Sequence, residues 1–139
     1  MAIKLNKKTL NDSNWTVYTN SYNEACELLI GRAGTVAFLK ATEEVERPYK
    51  KLIAKDRLNS EKRRELNIMI IANSILNDWK GICDDEGNEL SYSPELGVQL
   101  MNNDPELMEF VMDYALDSAN FNVTEEAIVK KSTRPSNGK

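Results

Sequence analysis

The sequence predicts a mainly α protein: a small helical domain with an N-terminal β-hairpin and a short β-turn insertion between its central and C-terminal helices. Three observations carry this reading. From Thr35 onward, apolar residues recur at three- and four-residue spacing over most of the chain. Ser93-Pro94-Glu95 and Asp104-Pro105-Glu106 each place a capping side chain, a proline at the first helical position and an acid in the first turn. Period-two alternation is confined to the stretch before Arg32. A chain of 139 residues suits one domain, read here as an N-terminal arm over 1–13, a helical domain with its hairpin over 14–131 and a disordered polar tail over 132–139.

The elements follow in order. Trp15, Val17 and Thr19 alternate in the first strand, a turn-forming Asn-Ser-Tyr-Asn follows, and Cys26, Leu28 and Ile30 alternate in the second. Gly31 and Gly34 end the hairpin, and Thr35 caps a helix carrying Phe38, Ala41, Val45, Tyr49 and Leu52. Pro48 lacks a backbone donor, so the helix kinks there or restarts with Pro48 in its first turn, ending near Arg57. Ser60 is expected to cap the central helix, whose stripe runs through Ile68, Ile71, Ala72, Ile75, Leu76 and Trp79. Asp85 to Asn88 form a polar turn between short flanks that can pair. The helix beginning at Pro105 is expected to bury Leu107, Phe110, Val111, Tyr114 and Ser118, and a further helix is expected over 124–131.

Composition excludes much chemistry. With no histidine, the common general base and the Ser-His and Cys-His nucleophilic pairs are missing, as are most zinc sites. Cys26 and Cys83 have no CxxC spacing and read as reduced packing residues. Setting Gly87 at the sixth position of a calcium loop puts Ile82 first and Ser93 twelfth, so neither end supplies its carboxylate. Gly31-Arg32-Ala33-Gly34 lacks the lysine and spacing of a phosphate loop. No catalytic, metal or cofactor site is expected. Without an apolar leader or an 18-residue apolar run, the chain is expected to reside in the cytoplasm and off the membrane.

Charge is unevenly divided. From Gly81 to Val129 there are twelve acids and no lysine or arginine, a charge of −12, which leaves +8 for the rest of a chain at −4. Lys50, Lys51, Lys55, Arg57, Lys62, Arg63 and Arg64 make a basic stretch broken only by Asp56 and Glu61. Two explanations stand side by side. The acidic helices can pack beside this stretch within one molecule, or an acidic and a basic face can meet head to tail between copies. A small nucleic-acid-binding or regulatory protein using the 50–64 stretch is the alternative function, against which the net negative charge and the near absence of interleaved aromatics weigh.

The block from Asn73 to Pro94, Asn-Ser-Ile-Leu-Asn-Asp-Trp-Lys-Gly-Ile-Cys-Asp-Asp-Glu-Gly-Asn-Glu-Leu-Ser-Tyr-Ser-Pro, resembles the tail assembly chaperones of long-tailed, siphovirus-type bacteriophages. The shared pattern is a helix ending in Asp-Trp, a glycine, a short strand, an acidic turn and a Tyr-Ser-Pro helix start. The Trp-containing hairpin, the start at Asp104 to Leu107 and Phe121 extend the likeness over residues 14–121. The resemblance implies a non-enzymatic binding protein, absent from the finished tail, that engages the tape measure protein and helps to recruit tail tube protein in the host cytoplasm. It also implies a longer form made by translational frameshifting near the end of the gene, for which Val129-Lys130-Lys131 could encode an A-rich slippery site. The expected contact residues are Lys50, Lys51, Arg63 and Arg64 on one side and Asp84, Asp85, Glu86, Asp113 and Asp117 on the other. Trp79 is expected to be core.

Overall fold

The structure, a computed structural model, describes residues 2–123. The helix expected over 124–131, the polar tail and the frameshift position lie outside the described residues. Two strands, β1 (Ser13–Thr19) and β2 (Ala25–Gly31), form the antiparallel hairpin. Helix α1 (Val36–Glu46) follows, capped by Thr35 Oγ1, which accepts from the Phe38 amide. Pro48 restarts the chain in a 3-10 turn, Arg47–Tyr49, which runs into the short α2 (Lys50–Ala54). Next come α3 (Ser60–Ile70), a π turn (Ile71–Ile75) and a third strand, β3 (Leu76–Lys80). Helices α4 (Pro94–Asn103) and α5 (Pro105–Leu116) and a 3-10 turn (Ser118–Phe121) complete the described chain.

The mainly α expectation is therefore corrected: this is a mixed α/β fold with a three-stranded antiparallel sheet in the order β1-β2-β3. The central helix does not reach Trp79. Leu76 and Trp79 are three residues apart, which suits a helical stripe, but a β-bulge produces the same spacing. The register with β2 slips between Leu29 and Ile30, so that Ile30 faces Leu76 while Leu29 faces Asp78. Asn77 is the extra residue, and its presence lets Leu76 and Trp79 both point inward. The Asp-Trp pair taken as a helix end is thus part of a strand.

Helix and strand meet without a loop, and side chains donate to the last helical carbonyls there. Asn73 Nδ2 donates to the Met69 carbonyl (2.7 Å) and Ser74 Oγ to the Ile70 carbonyl (2.6 Å), competition that loosens a helix. Tyr92 Oη donates to the Ala72 carbonyl. The Tyr92 ring also meets the Trp79 ring edge-on at 4.8 Å, and Trp79 Nε1 donates to the Leu90 carbonyl at 2.8 Å. Gly97 makes room for this tyrosine: a Cβ there would stand 2.7 Å from Tyr92 Oη. A glycine inside α4 costs about 1 kcal/mol in helix propensity, which that close approach requires.

The helices cover one face of the sheet. Cys26, Leu28 and Ile30 of β2 and Tyr18 of β1 pack with Ile68, Ile71, Ile75, Leu76 and Trp79, and Met101, Leu107, Val111 and Ala115 close the core. The faces of β1 are now fixed, and two smaller expectations are corrected. Trp15 and Val17 lie on the outer sheet face, because Thr16 and Tyr18 pair with the inward Leu28 and Cys26; Lys80 Nζ sits 4.6 Å above the Trp15 ring. Asn59, not Ser60, caps α3, its Oδ1 accepting from the Lys62 amide at 2.7 Å. Ser118 is exposed, because Asp117 ends α5 and its carboxylate starts the next turn by accepting from the Ala119 amide.

Replacing Tyr92 by Phe keeps the ring contacts but leaves the Ala72 carbonyl without its donor. Chemical denaturation should show a loss of about 1–3 kcal/mol with the far-UV spectrum retained. An unchanged midpoint would show that the hydroxyl does not secure the junction.

Candidate functional site

Helix α1 rests across α3 with only Ala41 fully buried, and a crevice opens along each of its flanks. The larger, about 610 Å³, has a floor of Ala37, Ala41 and Val45 from α1 and Leu66 and Met69 from α3. The three α1 residues recur every fourth position and so share one helix face. Two of them are alanines, too short to fill the space. Lys40, Glu44 and Glu65 stand around the opening. The narrower crevice on the other flank, about 260 Å³, is lined by Phe38, Thr42, Ile70, Ile71, Met108 and Met112. An apolar floor with a charged rim is a shape that accepts the apolar face of an amphipathic helix.

The basic residues gather at one corner. Lys50 and Lys51 lie exposed on α2, and the turn to α3 is held by bonds from the Lys55 amide to the Lys51 carbonyl and from the Arg57 amide to the Leu52 carbonyl. Arg63 is not a free contact residue: its guanidinium is 2.8 Å from the Glu46 carboxylate and ties α3 to α1. Lys62 pairs with Glu65 at 2.7 Å and stands over the Tyr49 ring, and the hydrogen bond that it donates to the Glu65 carboxylate holds its ammonium above the usual lysine range. Among the described residues Arg64 reaches the Asn102 side chain, at 3.4 Å, and no carboxylate.

The acidic residues divide between turn-builders and free charges. Asp84 accepts from the Asn88 and Glu86 amides and from the Asn88 side chain, and these bonds, the Asn88 amide first, hold its carboxyl below the usual range. Asp117 caps the last 3-10 turn. Asp85 and Glu86 are exposed at the tip of the turn, and Asp113 is exposed on α5. Two acids that sequence reading left out, Glu106 and Glu109, fall on the same face as Asp113; their spacing of three and seven residues was the available signal.

The acidic helices α4 and α5 form no ion pair with the rest of the described residues. Among the described residues the ion pairs are Arg32–Asp12, Arg47–Glu43, Lys62–Glu65 and Arg63–Glu46, and none uses an acid from 81–123. Among them, too, no cluster of three or more His, Cys, Asp or Glu side chains is placed to hold a metal ion, and no helix is long and apolar enough to cross a membrane. Cys26 and Cys83 line one crevice of about 410 Å³ as free thiols, Cys26 buried and Cys83 exposed. Burial, with the nearby Asp104 carboxylate, pushes the Cys26 thiol up to about 11.

The family described as YdaY prophage protein matches residues 33–131. No curated protein and no solved structure matches the chain.

The two thiols should separate in a disulfide-exchange titration at about pH 8, where only thiolate reacts. Cys83 should react promptly and Cys26 only after denaturant is added. Because the folded Cys26 thiol holds its proton above the unfolded value of 9.0, its contribution to stability is complete below that pH and declines as pH rises toward 11. Two fast thiols in the native protein would contradict the burial of Cys26.

Proposed function

The chain belongs to the YdaY prophage protein family and is phage-derived, and from that premise we propose that it acts by binding rather than catalysis, as a tail assembly chaperone that holds a helical segment of the tape measure protein. The observation that carries this reading is the crevice between α1 and α3, with an apolar floor of Ala37, Ala41, Val45, Leu66 and Met69, of which Ala37 and Met69 are exposed. A tape measure chain is long and helical, and before the tail closes around it its apolar stripe needs cover. A groove with a short-side-chain floor admits such a helix closely, and Lys40, Glu44 and Glu65 at the rim offer charged partners to residues flanking the stripe. Recruitment of tail tube subunits and release before the tail is finished belong to the same proposal.

The unpaired cations of the basic corner favour a second reading, salt-sensitive binding of nucleic acid. Co-expression with the longest helical tail protein encoded beside it, followed by affinity capture and light scattering, separates the two. A soluble complex is expected, and Ala37→Arg with Met69→Glu should reduce its recovery by about tenfold or more while the monomer stays folded, since a charge buried in an apolar contact is costly. Absence of any complex, with nucleic acid retained on the protein, would replace the chaperone reading by the regulatory one.

A further inference from the structure

Two surfaces of this chain complement each other and have no ion-pair partner among the described residues. One is the corner made by α2 and the start of α3. There Lys50, Lys51, Lys55, Arg57 and Arg64 have no carboxylate in ion-pair range among the described residues. Leu52, 43% exposed, sits among them. The corner is compact, because the bonds from Lys55 and Arg57 close the turn and the Arg63–Glu46 pair anchors α3 behind it.

The other surface is the outer face of α5. Glu106, Glu109 and Asp113 follow one another at i, i+3 and i+7, opposite the buried Leu107, Val111 and Ala115. They form a stripe about 10 Å long at the helical rise of 1.5 Å per residue. Leu116, 66% exposed, stands at its C-terminal end. Like charges at these spacings weaken a helix, and no lysine or arginine lies between Gly81 and Val129 to relieve them. A cationic surface brought by another molecule would.

We propose that this protein self-associates head to tail, the α2–α3 corner of one copy seating on the outer face of α5 of a second copy, with Leu52 and Leu116 as apolar contacts between the charges. The two surfaces differ, so the contact is heterologous and repeats: each copy that uses its corner still presents its α5 face, and the assembly grows into a ring or an open chain. Arg63 and Asp84 take no part, being engaged by Glu46 and by the Asp84–Asn88 turn. The inference stands apart from the tape measure reading, since it concerns copies of this chain alone.

Sedimentation of the purified full chain over a range of concentrations and salt tests it. Association should rise with concentration and fall as salt increases from 0.05 to 1 M, where screening shortens from above 10 Å to about 3 Å. Lys50→Glu with Lys51→Glu, and separately Glu109→Lys with Asp113→Lys, should each weaken association by about 100-fold, because like charges then face each other. Mixing the two variants should restore it, since every contact in the mixture again pairs opposite charges. Circular dichroism of each variant controls for folding. A chain that stays monomeric at every salt, or folded variants that fail to rescue each other, would overturn the proposal; retention of nucleic acid at the corner by a monomer would do the same.

Discussion

The hydrogen bond from Tyr92 Oη to the Ala72 carbonyl holds the point on which the fold turns. Helix α3 passes through one π turn directly into β3, and a widened turn leaves carbonyls without their usual amide partners. Buried and unpaired, such a group costs about 1–3 kcal/mol. Tyr92 satisfies one of them from twenty residues away, and burial with the nearby Glu95 pushes its phenol well above the usual tyrosine range. With that end settled, β3 can pair with β2, Trp79 can lie against Tyr92, and α4 can approach closely over Gly97. The sheet, the helix layer and the acidic segment all meet at this junction.

Around that core the electrostatics follow a different logic. The ion pairs are local or join neighbouring elements: Lys62–Glu65 within α3, Arg63–Glu46 between α3 and α1. Exposed pairs of this kind contribute roughly 0–1 kcal/mol each, so they orient elements more than they stabilise them. Among the described residues the acids of 81–123 stand outside every ion pair. Screened surface charge of this kind adds little to the stability of a monomer. The apolar crevice beside α1 is likewise a feature that folding alone does not use, since longer side chains at Ala37 and Ala41 would fill it.

Much of the chain was legible because its signals are local. Thr35, Ser93 and Asp104 cap the helices at which they were expected, and Pro48 restarts the chain in a short turn. The hairpin strands lie where alternation put them, although on β1 the inward face belongs to Thr16 and Tyr18. The candidate contact residues were legible as charges but not as partners. Only tertiary contact assigns Arg63 to Glu46, while Lys50 and Lys51 pair with no acid among the described residues.

By itself the sequence determined the helix starts at Thr35, Ser93 and Asp104, the hairpin, the lack of histidine chemistry and the acidic and basic halves, since each depends on residue type and near neighbours. Tertiary structure alone decided that Leu76 to Lys80 is a strand. Leu76 and Trp79 satisfy a helical period and a bulged strand equally well, and the choice falls to the free edge of β2 and to Tyr92, both distant in the chain. It also decided where the open crevice lies, because a gap between helices depends on how two faces meet and not on either face alone.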